Sequence, residues 1–212
     1  MRLHINSPAP SKRLAFLPRA GTLRPLQSQT TTSVSKRPPE AFRTANLFET
    51  GMGHVVVSRF KQDGALVEAG VFLLDVYCLG VKDAFFTQVG PSEYKDRFLP
   101  RVFTQEPGEP MDPSCARKLV EQAIAYAAKL GFAPHPDYKR ASRVFGGILW
   151  ETCPTNFVFG HKGKPFYIRG PYETEARANY VLQQLQRRCG EGNYDYLVAV
   201  GDPSEIDSLF ED

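Results

Sequence analysis

The chain has 212 residues, of which 42% are hydrophobic and 12% aromatic, enough for one globular core and too few residues for two full-sized domains. It has no run of about 20 apolar residues that could cross a bilayer, and its first residues lack the apolar segment of a secretory signal. Composition therefore predicts a soluble cytoplasmic protein with no membrane partner.

Charge is unevenly distributed along the chain. Residues 1–45 carry eight Lys or Arg and a single acid, Glu40, which gives this stretch +7 within a total of +3. The stretch is rich in Pro, Ser and Thr and shows no helical or strand periodicity, so it is predicted to be a disordered basic leader. It could be a nucleic-acid-binding arm, an organelle-targeting segment, or a passive segment ahead of the true translation start.

The four cysteines are widely spaced, at Cys78, Cys115, Cys153 and Cys189. They form no C-x-x-C pair, which argues against a zinc ribbon or a redox motif and predicts free, buried thiols. The histidines are equally scattered, so neither a metal site nor a cofactor is predicted.

The clearest structural signal is a β-hairpin in "HVVVSRFKQDGALVEAGVFLLDVYCLG". Two β-rich runs flank Asp63-Gly64, and Asp-Gly is a favoured dipeptide of two-residue type I′ turns. A turn at this point sets Phe60 opposite Val67 and Arg59 opposite Glu68, an opposite-charge pair.

The same register suggests a catalytic pair. His54 faces Leu73, which places Asp75 diagonally beside His54 on one face of the hairpin. A carboxylate can fix the tautomer of an imidazole that acts as a general base, so a hydrolase using His54, Asp75 and Asp83 is one hypothesis. No Ser or Cys nucleophile accompanies the pair in a recognisable motif. The alternative is that Asp75 is a half-buried acid held by the nearest donor.

A third strand is predicted in "VKDAFFTQVG", which begins with Lys82 and Asp83. Such a pair at a strand edge is typical of a solvated turn, but it could also supply a phosphate contact or a metal carboxylate. The second role would make the hydrolase a metal-dependent nuclease. The first strand carries no Asp or Glu, which weakens any comparison with ribonuclease H-like nucleases.

Helix signals follow a charged, partly helical linker. Asp112 and Pro113 start a long helix that Gly131 ends. His135 follows in a loop between two prolines, and a short helix is expected from Asp137. A second long helix covers "TEARANYVLQQLQRRC" before Gly190.

A second hairpin is predicted around Lys162-Gly163, between two aromatic-rich runs, and "NYDYLVAVG" is predicted to be a strand. Bases and rings alternate here, as on surfaces that bind single-stranded nucleic acid. The alternative is that the rings face the core and the charges face water. The candidate nucleic-acid-binding residues are Lys82, Lys162, Lys164, Tyr167 and Arg169.

The last residues, 201–212, contain five acids and no base. Ile206, Leu209 and Phe210 are apolar anchors within this acidic tail. The tail is therefore a candidate docking peptide for a protein partner.

The segments "GVFLLDVYCLGVKDAFF", "AIAYAAKLGFAPHPDY" and "GKPFYIRGPYE" resemble a family of bacterial proteins of unknown function, over residues 53–200. The resemblance implies a recurring intracellular domain and no particular activity. From its elements, the body at 46–200 is predicted to be one α+β domain, with a mixed or mostly antiparallel sheet, two β-hairpins and two or three packed helices. The function hypothesis is a binding or adaptor domain near nucleic acid, with the hydrolase as the alternative.

Overall fold

The computed structural model of the protein describes residues 37–61 and 64–198. Its strands are β1 (Glu40–Thr44), β2 (Met52–Phe60), β3 (Val67–Asp75), β4 (Gly80–Val89), β5 (Gly108–Met111), β6 (Phe166–Ile168) and β7 (Asp195–Leu197). Its α-helices are α1 (Leu47–Thr50), α2 (Pro91–Glu93), α3 (Leu99–Val102), α4 (Pro113–Lys129), α5 (Tyr138–Ala141) and α6 (Glu175–Cys189). A π-helical turn, Tyr94–Phe98, joins α2 to α3, and 3₁₀ turns occupy Ser142–Phe145 and Trp150–Thr152.

The fold is α+β, as predicted, and is built on a five-stranded antiparallel sheet in the order β4-β3-β2-β1-β5. The predicted register of the first hairpin is confirmed, with Phe60 opposite Val67 and Arg59 opposite Glu68. The charge partner of Glu68 differs from the prediction, because Glu68 forms its ion pair with Lys61, at 2.6 Å, and not with Arg59. At the turn, Gly64 has φ of 68° and its N–H donates to Lys61 O, while the predicted partner residue Asp63 lies outside the described residues.

Strand β1 corrects the predicted boundary of the leader. Glu40–Thr44 lies between β2 and β5 and pairs antiparallel with both. The domain therefore begins before residue 46. No hydrophobic pattern marks this short strand in the sequence, because only Ala41 and Thr44 are buried and the remaining side chains are partly exposed.

Helix α4 covers one face of the sheet. Its predicted N-cap is confirmed, since Asp112 Oδ1 accepts a hydrogen bond from Ser114 N at 2.8 Å. Its small apolar residues let it lie close to the strands, and Ala116 and Leu119 pack with Val55 and Phe72 in the main core.

The opposite face is covered by the segment that follows β4. This segment was predicted to be a partly helical linker, yet Tyr94 is fully buried in it and packs in one cluster with Phe60 and Val67. The Tyr94 hydroxyl donates to Ser58 Oγ at 2.8 Å, so the buried phenol is satisfied. The chain then runs on into β5. The segment is thus a second covering layer of the sheet.

The C-terminal part packs at one end of this sandwich. The predicted turn at Lys162-Gly163 is present, with φ values of 51° and 82°, but the predicted second hairpin is limited to the single bridge between His161 and Lys164. Strand β6 instead pairs in parallel with β7. The sequence pattern did not predict the pairing of β6 with β7, because each strand is only three residues long and so carries little alternation.

Helix α6 has the predicted extent. Thr174 Oγ1 caps it by accepting from Arg177 N at 3.2 Å, and Gly190 follows its last residue. Ala178, Val181 and Leu185 are buried against the end of α4. Among the described helices, none has the length and apolar character needed to cross a bilayer.

Candidate functional site

Asp75 is a buried carboxylate that accepts hydrogen bonds from the backbone of its own turn. Its Oδ1 accepts hydrogen bonds from Tyr77 N at 3.0 Å and from Cys78 N at 2.8 Å. Burial raises its pKa to about 6, although the backbone N–H groups act in the opposite direction. No hydrogen bond or ion pair joins it to His54 within the described part of the chain. The alternative interpretation of Asp75, an acid held by the nearest donors, fits this geometry.

The predicted acid whose charge acts on His54 is Asp83, which also lies near His135. His54, Leu73 and Asp83 lie side by side on β2, β3 and β4. Burial lowers the pKa of His54, and the negative charge of Asp83 opposes that effect in part. Nδ1 of His135 lies 3.7 Å from Asp83 Oδ1. Asp75, the remaining predicted catalytic residue, is bonded to the backbone of its own turn instead.

His54 lies in a cleft of about 740 Å³, which we call the imidazole cleft. Its lining includes Arg101, Glu106 and Tyr172. Oε2 of Glu106 is buried without a hydrogen-bond partner among the described residues. Among the described residues, no Ser or Cys lines this cleft, and these are the side chains that most often serve as nucleophiles.

Three of the predicted nucleic-acid-binding residues converge on Glu173. An irregularity in the β3–β4 ladder leaves Lys82 outside the pairing, and its Nζ lies 3.1 Å from Glu173 Oε1. The Tyr167 hydroxyl donates to Glu173 Oε2 at 2.7 Å, and the guanidinium of Arg169 donates to Glu173 O. Tyr167 is fully buried. These groups hold β4, β6 and the start of α6 together and present no free ring for base stacking.

The other two predicted residues lie near the Lys162-Gly163 turn. Lys162 is exposed in the turn itself, whereas Lys164 Nζ donates to Gly192 O at 2.7 Å. The neighbouring rings face inward, because Phe157 stacks on Phe48 and Phe159 stacks on Tyr126. The predicted docking residues of the tail, Ile206, Leu209 and Phe210, lie outside the described residues.

A larger cleft, of about 1040 Å³, lies elsewhere, beside β5 and the start of α4. We call it the aromatic cleft. Apolar lining residues are Phe48, Tyr77, Met111, Phe157 and Val158, and charged ones are Arg43, Glu109 and Asp112. The Tyr77 hydroxyl donates to the carbonyl oxygens of Phe48 and Glu49, which fixes the ring against α1. Val158 is 74% exposed at the opening.

A disulfide joins Cys115 to Cys153 at the wall of the aromatic cleft, which corrects the prediction of four free thiols. The two Cα atoms are 4.9 Å apart, although the cysteines are 38 positions apart in the chain. Cys78 and Cys189 are free, and Cys78 is buried as predicted. Sequence spacing gave no sign of the bond, since it forms between a helix and a distant loop that only packing brings together.

No comparison found a match, whether with models of protein families, with curated proteins or with solved structures. Within the described ranges, no group of three or more His, Cys, Asp and Glu side chains is placed to hold a metal ion.

Proposed function

We propose that the protein is a non-enzymatic binding or adaptor domain and that its ligand site is the aromatic cleft. The supporting observation is the lining: rings and a thioether supply its apolar surface, and its titratable groups are engaged in structural bonds. Asp112 caps α4, and the Tyr77 hydroxyl is bonded to the main chain of α1. A large, mostly apolar cleft with a few fixed polar groups is typical of a binding site.

The charges at the cleft indicate the chemistry of the ligand. Glu109 and Asp112 contribute two negative charges, and Arg43, which pairs with Glu109, contributes one positive charge. The remaining negative charge and the aromatic faces both favour a cation. We therefore propose a ligand with an aromatic or apolar body and a cationic group, such as an amine or a basic peptide segment.

Three small probes of similar shape test this proposal: phenethylamine, phenethyl alcohol and phenylpropionic acid. Binding is followed by NMR chemical shifts of the Met111 and Val158 methyl groups, which line the cleft. We expect the amine to bind more tightly than the alcohol, and the alcohol more tightly than the acid, because the cleft combines apolar surface with negative charge. Equal binding of all three, or no shift at these methyl groups, would refute the proposal.

A matched pair of variants controls for charge. Glu109→Gln removes a carboxylate from the cleft and should weaken binding of the amine about threefold, as expected for a partly exposed charge. Glu191→Gln makes the same change at an exposed position outside the cleft lining and should leave binding unchanged. A weakening of the same size in both variants would show that net charge, not the cleft, attracts the amine.

The geometry does not favour the hydrolase hypothesis. That hypothesis placed Asp75 beside His54, whereas the Asp75 carboxylate is bonded to backbone amides of its own turn. Association with nucleic acid stays a prediction from the basic leader, and most of that leader lies outside the described residues.

A further inference from the structure

We propose that Cys115–Cys153 is a reversible redox site, reduced by small thiols, that sets whether the wall of the aromatic cleft is fixed. The proposal goes beyond ligand binding and does not depend on what the cleft binds. It is supported by the position of the two cysteines, by a buried lysine beside them, and by what the bond holds in place.

Cys115 is the more accessible of the two cysteines. It lines the aromatic cleft and is 8% exposed, whereas Cys153 does not line it and is 4% exposed. Cys115 is also the third residue of α4, a helix of 17 residues, and the N-terminal end of a helix stabilises a thiolate. The carboxylate of Asp112, at the N-cap, opposes this effect.

Lys118 provides the second, independent feature. It is only 9% exposed, and its Nζ donates to the carbonyl oxygen of Cys153 at 3.0 Å. No carboxylate of the described residues forms an ion pair with it. A buried lysine without an acid partner is unusual, and here its Nζ is hydrogen-bonded to the main chain of the cysteine that leaves during reduction.

The reaction is thiol–disulfide exchange. A thiolate attacks Cys115 Sγ, forms a mixed disulfide there, and releases Cys153 as a thiolate beside the Lys118 ammonium. A second thiol then attacks the mixed disulfide, so that two thiols are oxidised to one external disulfide and the protein gains two thiol groups. Reoxidation by an external disulfide reverses both steps.

The bond also anchors one wall of the cleft. Cys153 is followed by residues 154–158, which line the cleft and are mostly exposed. The hydrogen bond from Lys118 Nζ to Cys153 O is a second, non-covalent link between α4 and this wall. Reduction therefore removes the covalent tie between this wall and α4.

The experiment treats the native full-length chain with dithiothreitol or glutathione at one pH, traps the thiols by alkylation, and identifies them by peptide mass spectrometry. We expect Cys115 and Cys153 to be reduced much faster than the chain unfolds, and buried Cys78 to stay unlabelled. Chymotrypsin should then cut faster at Phe157 in the reduced chain. Reduction only at the rate of global unfolding would show a purely structural disulfide and overturn the proposal.

The role of Lys118 is tested by Lys118→Gln, with Lys129→Gln as its control. Both remove one positive charge from α4, but Lys129 is exposed at the far end of the helix. We expect Lys118→Gln to slow reduction about three- to tenfold relative to the control, since a less stabilised thiolate leaves more slowly. Equal rates would remove Lys118 from the mechanism. If Lys118→Gln does not fold, the wild-type comparison of reduction with unfolding still decides the proposal.

Discussion

At the scale of single residues, the same side chain can be a catalytic candidate in the sequence and a structural group in the fold. Asp75 was predicted to orient His54, and the register that brings the two residues to one face is confirmed. The carboxylate nevertheless bonds to Tyr77 N and Cys78 N, because the chain reverses just after β3 and leaves those amides in need of an acceptor. Its raised pKa follows from burial and is not evidence of catalysis.

We expect Asp75→Asn to remove a pH dependence of stability. The folded-state pKa of Asp75 is about 6, above the ordinary aspartate value of 3.8. Between these two values the folded chain binds more protons than the unfolded chain, so stability falls as pH rises through this window. Relative to Asp75→Asn, the wild type should lose roughly 2 to 3 kcal/mol of unfolding free energy from about pH 4 to pH 7. Urea denaturation at several pH values measures this difference.

Glu191→Gln serves as the control, because it removes an exposed carboxylate and should follow the wild type across the pH range. A constant difference between wild type and Asp75→Asn would show that Asp75 does not titrate as its burial requires. Binding of phenethylamine should be unchanged in Asp75→Asn, since this carboxylate does not line the aromatic cleft.

At the scale of elements, the distance between layers is set by small residues. Gly70 of β3 lies directly under the short helical segment 138–145. A Cβ atom at Gly70 would lie 2.7 Å from Val144 Cγ1 and 2.8 Å from the carbonyl oxygen of Ala141. The segment can approach this closely only because β3 has no side chain here. The sequence placed this helix correctly but could not show which strand it crosses.

Gly70→Ala should therefore destabilise the protein by about 1 to 3 kcal/mol, the usual cost of overpacking a core. Gly147→Ala is the matched control, because nothing lies within 4 Å of its Cβ position and its effect should stay within about 0.5 kcal/mol. Thermal unfolding of both variants measures the difference. Similar midpoints for the two variants would mean that the helical segment moves away at little cost.

At the scale of the whole molecule, β1 links parts that lie far apart in the chain. It pairs with β2 on one side and with β5, some 70 residues later, on the other. Without it the sheet would end at β2, and β5 would have no neighbour among the described strands. The predicted leader therefore contains a strand on which the order of the sheet depends.

Two deletions separate the leader from the strand. A chain lacking residues 1–36 keeps β1 and should unfold in urea at nearly the wild-type midpoint. A chain lacking residues 1–45 loses all backbone pairing of β1 and should be unfolded or aggregated by circular dichroism. Equal stability of the two chains would contradict the role given to β1. The first chain also tests the leader, because a nucleic-acid-binding arm predicts that salt-sensitive binding to RNA or DNA is lost with it.

Sequence alone determined the features that depend on neighbours along the chain. The alternation of β2 and β3 around Gly64 fixed their register, and the Asp112-Pro113 start and Gly131 and Gly190 ends located the two long helices. These signals are local, since they reflect backbone conformation, capping and the period of buried side chains.

Tertiary structure decided the features that join distant segments. The Cys115–Cys153 bond, the ion pair of Lys82 with Glu173, and the aromatic cleft all join residues more than 30 positions apart. No local pattern marks such contacts, because each one depends on how the helices and loops pack on the sheet. For the same reason, the sequence showed only that the residues predicted to bind nucleic acid are basic or aromatic. Which groups they contact is known only from the structure.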